Sequence, residues 1–144
     1  MIKIICVGKI KEAFYRDAIL EYMKRLSKYH KVIIDEVIDS DIKSEGDLIL
    51  KRINSKDYII TLEIEGNMMN SLDFSKFIEN NMINNSNITF IIGGSCGLDD
   101  RVKKVSNYRL SFSKMTFPHQ LFRIILLEQI YRGFKIINNE SYHK

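Results

Sequence analysis

Short apolar runs alternate along this chain with longer stretches in which apolar residues recur every three or four positions. Residues 2 to 7 (IKIICV) predict a buried strand that ends at Gly8. From 11 to 28, Phe14, Ala18, Leu20, Tyr22 and Leu26 form a helical stripe, with Arg16, Lys24, Arg25 and Lys28 opposite. Residues 31 to 38 predict a second strand, and 44 to 53 a loop that becomes a short helix. A third strand is expected over 57 to 64, ended by Gly66, followed by a helix capped by Ser71 and running to about Asn81. Residues 88 to 92 (ITFII) predict a fourth strand, and a short helix starts at Asp99. Residues 108 to 112 predict a fifth strand, and 119 to 134 the last helix, before a tail of ten residues.

Strand–helix alternation of this kind defines an α/β fold, a mainly parallel sheet with helices on both faces. Ligands in such sheets bind beyond the carboxyl ends of the strands. Three strand ends stand out there: Leu62 to Gly66, Gly93 to Gly97, and Phe112 to Pro118. At 144 residues, the chain is expected to form a single domain over 1–144.

Composition changes the picture little. Hydrophobic residues make up 45% and charged residues 28%, which excludes a disordered chain. Cys6 and Cys96 are the only cysteines and lie far apart, so neither a disulfide framework nor a metal site is expected, and a reducing cytoplasm is. The N-terminus does not read as a signal peptide, and no window approaches the ~20 apolar residues of a membrane span. Charge is more informative. The net value is +4, but residues 1 to 31 hold 8 basic and 3 acidic side chains, and residues 101 to 144 hold 9 and 2. Residues 32 to 50 reverse the balance, with 1 basic and 6 acidic. Two basic ends suit a polyanion such as RNA.

The glycines at 93, 94 and 97 match neither the dinucleotide fingerprint nor the phosphate loop. They serve either close approach of backbone N–H groups to a ligand or a tight turn at positive φ. The run Ser111 to His119 follows a strand and holds the only proline, Pro118, which suits a first helical turn; Thr116 is the expected cap. A loop with two Phe, one Met, two Ser and one Thr is apolar enough to wall an adenine. The last helix is apolar over more than one stripe, so both the sheet and a second subunit are expected to cover it. Glu128 and Arg132 are spaced for an ion pair within it.

Taken together, these motifs resemble the ribosomal large-subunit pseudouridine methyltransferase H family, of the trefoil-knotted SPOUT class. The matching pieces are Val7-Gly8-Lys9, Thr61-Leu62-Glu63-Ile64 with Gly66, Ile92-Gly93-Gly94 with Gly97-Leu98, and Leu110 through His119. Arg123, Glu128-Gln129, Tyr131-Arg132 and the ending Tyr142-His143-Lys144 complete them, in order along the whole chain. The resemblance implies a C-terminal trefoil knot, S-adenosylmethionine as cofactor, and methylation of N3 of a pseudouridine in 23S rRNA of the assembled ribosome by a homodimer, with no metal. By position it implies cofactor contacts at Leu62, Gly93, Phe112, Ser113, Lys114, Met115, Thr116 and Phe117. It assigns catalysis to His143, Tyr142, Lys144 and Arg132. With an unperturbed pKa of ~6.5, His143 suits either a base or an orienter of the acceptor ring. Relative to many members, the segment from Asp39 to Glu45 is short.

Overall fold

All five apolar runs become strands of one sheet in the computed structural model, which describes residues 1–144. The elements are β1 (Ile2–Val7), α1 (Ala13–Leu26), β2 (Val32–Val37), α2 (Ile42–Arg52), β3 (Tyr58–Met68) and α3 (Ser71–Asn84). Then follow β4 (Ile88–Ile92), α4 (Asp100–Lys104), β5 (Tyr108–Ser111) and α5 (His119–Ile137). Strand order is β2-β1-β4-β3-β5, and every pairing is parallel.

Period-two alternation divides the core between the two faces. Ile2, Ile4 and Cys6 of β1, with Phe90 of β4, pack toward α1, α3 and α5. Ile5, Val7 and Ile91 turn the other way, onto Ile49 of α2 and Val102 of α4. Helices therefore cover both faces, as the alternation predicts.

Several boundaries shift by a few residues, and four differences have a local reason. Gly66 does not end β3. Leu110 pairs with both Leu62 and Asn67, so residues 63 to 66 bulge out of the ladder and the strand resumes to Met68. Gly66 is needed because a Cβ there would meet the Arg109 carbonyl at 2.8 Å. Asn70, not Ser71, caps α3, accepting from Asp73 N at 2.8 Å. Pro118, not Thr116, stands at the start of α5 and offers no side-chain cap. That helix runs on to Ile137, which shortens the tail.

α5 lies beside α1 and α3 over the sheet. Leu126, Leu127, Ile130 and Phe134 are buried there within the protomer. In the first half of the helix Leu121, Ile124 and Ile125 are partly exposed, as are Ile136 and Ile137 at its end. β5 is an edge strand, yet α5 starts over the end of β1. The link from Phe112 to Pro118 therefore crosses the carboxyl ends of β3 and β4. The resemblance implies a trefoil knot in this C-terminal part of the chain.

Arg123 fixes where the crossing lands. Its side chain is 2% exposed. It donates to Glu36 of β2 at 2.6 Å and to the carbonyls of Val7 and Gly8 at 3.3 and 3.1 Å. Removing one partner of such a pair is worse than removing the buried charge itself. Glu36→Ala is expected to cost about 2–3 kcal/mol, below the ~3–5 of a fully buried pair because water screens the 39% exposed Glu36 side chain. Arg123→Met, which removes the buried charge and fills its volume, should cost less. Urea unfolding of both variants checks the order, and a Glu36→Ala protein as stable as the wild type would sink it.

Candidate cofactor pocket and C-terminal cluster

Crossing the strand ends, the 112–118 link roofs a cavity of about 820 Å³, a volume ordinary for small-molecule sites. Leu62, Gly93, Phe112, Ser113, Met115, Thr116 and Phe117 all line it, so seven of the eight residues expected to touch a cofactor converge on one cavity. Lys114, the eighth, is exposed and does not line it. The roof is built from its own residues. Ser113 Oγ accepts from Met115 N at 3.0 Å, and Ser111 Oγ donates to Ser113 O at 3.1 Å. Phe112 and Phe117 are pinned against Phe122 of α5, with ring centroids 5.2 and 6.1 Å apart. Met115 lines the cavity and is 75% exposed.

The glycines take two roles, one of them the turn left open by the sequence. Gly97 has φ +81 and makes the turn, its N–H donating to Gly94 O at 3.0 Å. Gly93 needs no positive φ. A Cβ on it would lie 2.7 Å from Gly97 O, so its role is close backbone approach at the cavity wall.

The cavity is also lined by residues to which the sequence reading assigned no cofactor role. Glu63 and Lys103 supply charge, and Leu98, His119 and Phe122 supply surface. Glu63 is buried and accepts from Arg109 at 2.7 and 2.5 Å and from Thr61 Oγ1 at 2.7 Å. Lys103 stands 3.8 Å away. Partners 46 residues distant leave no local signal; only the polar Thr61 and Glu63 inside an apolar strand hinted at a network. Burial raises the Glu63 pKa, but the bonds from Arg109 and Thr61 outweigh it and hold the carboxyl below its usual range. A depressed folded pKa contributes stability that is complete above the unfolded value and lost as pH falls through the folded one. In Arg109→Leu the first of the bonds that lower this pKa is gone, so the carboxyl titrates higher and the stability lost between pH 7 and pH 4 should be smaller than in the wild type. Unfolding free energies at pH 7 and pH 4 test this; an unchanged difference between variant and wild type would refute it.

The residues expected to act in catalysis form a second cluster. Arg132 donates to Glu128 at 2.6 Å, the ion pair the spacing predicts, and approaches His143 Nδ1 at 3.1 Å. Its guanidinium lies 4.8 Å from the Tyr142 ring centre, and the Tyr142 hydroxyl donates to Glu128 at 3.2 Å. Lys144 is exposed beyond them. This cluster is not at the cavity. His119 lines the cavity, and Arg132 is thirteen residues further along α5, roughly 20 Å at the helical rise.

Neither cysteine joins the cluster. Cys6 is buried, and burial above all pushes its thiol up to about 12. Cys96 is exposed in the glycine loop. His30 stacks on Phe134, and burial lowers its pKa. No group of three or more His, Cys, Asp or Glu side chains is placed to hold a metal ion, and no helix is long and apolar enough to cross a membrane.

A parallel sheet with a glycine loop and an apolar roof at its strand ends is matched, over residues 1–143, by the family model described as "Predicted SPOUT methyltransferase". The chain belongs to this family of methyltransferases. Within it, the chain is 52% identical to the ribosomal RNA large subunit methyltransferase H of Clostridium tetani (strain Massachusetts / E88), covering 99% of each. It is 51% identical to the protein of the same name from Clostridium botulinum (strain Okra / Type B1), again over 99% of each. Among solved structures it is similar to a probable methylase family protein from Haemophilus influenzae Rd KW20. There the TM-score is 0.60 at 9% identity, covering 99% of this chain and 70% of that one. It is similar too to the tRNA (m1G37) methyltransferase from Aquifex aeolicus, with TM-score 0.58 at 15% identity over 99% and 74%. These two likenesses show the fold.

Proposed function

We propose that the protein methylates N3 of a pseudouridine in 23S rRNA of the assembled ribosome. It would use S-adenosylmethionine and act in the cytoplasm as a homodimer. The observation that carries this reading is the convergence of Leu62, Gly93, Phe112, Ser113 and Met115 to Phe117 on one cavity, in a chain half identical along its length to large-subunit rRNA methyltransferases.

The cavity fits that cofactor. Leu62, Phe112 and Phe117 offer apolar walls, Ser113 and Thr116 polar edges, and the Gly93 backbone is bare of a side chain where close approach is needed. When bound, S-adenosylmethionine supplies an activated methyl on a sulfonium, so the protein's contribution is chiefly alignment of the acceptor. Arginine only donates hydrogen bonds, so His143 Nδ1 accepts from Arg132 in the tautomer with its ring proton on Nε2. That leaves Nε2–H to donate to the acceptor base and orient it, while the N3 proton passes to solvent before N3 takes the methyl from the sulfonium. Arg132 and Lys144 offset the charge of a deprotonated base or hold its phosphate.

The ~20 Å between tail and cavity in one protomer supports a dimer in which each tail serves the partner's cavity. The partly exposed apolar side of Leu121, Ile124 and Ile125 suits the interface. The direct experiment incubates the protein and tritiated S-adenosylmethionine with ribosomes from cells lacking this gene. Label confined to one pseudouridine of 23S rRNA is the expected result. Cofactor binding without incorporation would overturn the substrate.

A further inference from the structure

The ending Asn138 to Lys144 is polar and short, as a frayed terminus would be, but it is folded back by specific contacts. Asn139 is the only non-glycine residue in the left-handed region, at φ 54. Its N–H donates to Ile136 O at 3.1 Å, and Glu140 N–H donates to Lys135 O at 2.9 Å. These two bonds form the Schellman turn, which reverses the chain at the end of a helix. The reversal brings the Glu140 carboxylate to two donors. The Tyr29 hydroxyl, from the turn after α1, reaches both its oxygens at 3.0 Å, and Lys135 Nζ donates at 3.0 Å. Tyr29 is itself fixed, its ring stacked on Phe134 at 5.8 Å and 9°. Lys135 Nζ lies 5.7 Å from the centre of the same ring. Lys135 first, then Tyr29, hold the Glu140 carboxyl below its usual range, so the clamp is charged at neutral pH. Two residues on, Tyr142 packs edge-on against Tyr131 at 5.0 Å, and His143 meets Arg132.

We infer that Tyr29, Asn139 and Glu140 are positioning residues for methyl transfer, a clamp that sets where Tyr142 and His143 are presented. This rests on the reading of the tail as catalytic. None of the three lines the cavity. They act by limiting the conformations of a terminus whose side chains must meet the acceptor within about 1 Å, and misplacement on that scale costs on the order of a hundredfold in rate.

The test uses the full chain, tritiated S-adenosylmethionine and ribosomes lacking the modification. Glu140→Ala is expected to lower kcat about tenfold to a hundredfold, and Tyr29→Phe, which keeps the stack and loses the hydroxyl, by less. Cofactor Kd and Tm should stay at wild-type values in both. Glycine is favoured at the left-handed position, so Asn139→Gly should retain turnover, whereas Asn139→Val should lose it. The Tyr29→Phe/Glu140→Ala double variant should be no slower than Glu140→Ala alone, because the hydroxyl then has nothing to hold. A parallel fall in Tm and cofactor affinity would mark the contacts as merely structural and overturn the inference. So would wild-type turnover in Glu140→Ala and Asn139→Val while a chain ending at Ser141 is inactive; the clamp then fails and the catalytic tail stands. Turnover retained in the chain ending at Ser141 overturns the catalytic tail, and the clamp with it.

Discussion

A chain ending at Ser141 is expected to bind S-adenosylmethionine within about twofold of the full chain and to lose methyl transfer by roughly a thousandfold or more. The split follows from where the removed groups sit. Tyr142, His143 and Lys144 line no part of the cavity and, along α5, lie far from the 112–118 roof. Their loss frees Glu128 and Arg132 to each other, a pair already 2.6 Å apart, so no buried charge is stranded. The Tyr142–Tyr131 contact is lost from the packed structure, with the Tyr142 bond to Glu128 and the Arg132 contacts to Tyr142 and His143, and a terminal, half-buried ring contributes little to stability. What goes is every group proposed to orient the acceptor except Arg132. Removing an interaction made only in the transition state lowers kcat and kcat/KM together. Calorimetric titration with cofactor and single-turnover tritium transfer separate the two quantities, and a truncated chain keeping more than about a tenth of the turnover would refute the assignment.

The legibility of this fold in its sequence follows burial. β1 and β4 are apolar on both sides because helices cover both faces, so IKIICV and ITFII read as strands to the residue. What failed was whatever depended on a distant backbone. Gly66 reads as a terminator, yet it exists to let β3 pass the Arg109 carbonyl and continue. Thr116 reads as a cap, but Ser113 already turns the loop and Pro118 starts the helix. Asn139 sits in an Asn-Asn pair that resembles any polar tail, and its left-handed turn has meaning only with Tyr29 and Lys135 beside it. The expected cofactor run came from resemblance, and the crossing explains why its residues work together. A seven-residue loop laid over strand ends presents backbone and side chains at once, which no periodicity describes. The tail was legible as chemistry, an imidazole and a phenol beside an ammonium. Its distance from the cavity was not, since sequence separation does not measure the length of an intervening helix.

Gly93→Ala should weaken S-adenosylmethionine binding about a hundredfold while the chain still folds. An added Cβ would lie 2.7 Å from Gly97 O and 2.8 Å from Gly97 C, with Leu98 at 3.1 Å. The first two atoms are backbone, and they are tied to Gly94 by the Gly97 N–H bond of 3.0 Å. They can yield only by moving the whole loop, which is a wall of the cavity. Gly97→Ala is the matched control. It has φ +81 but nothing within 4 Å of a new Cβ, so it should cost about 1 kcal/mol of stability through backbone strain and leave cofactor affinity nearly intact. The pair separates close approach from conformational freedom in a single loop. Gly93→Ala also tests the dimer, because it spoils a cavity and leaves a tail, whereas truncation at Ser141 spoils a tail and leaves a cavity. If each tail serves its partner, then at cofactor concentrations too low to fill the Gly93→Ala cavity, randomly mixed dimers of the two proteins regain roughly a quarter of wild-type turnover, since half are heterodimers with one intact site. If the tail served its own cavity, every site in the mixture would lack one half, and no activity would return.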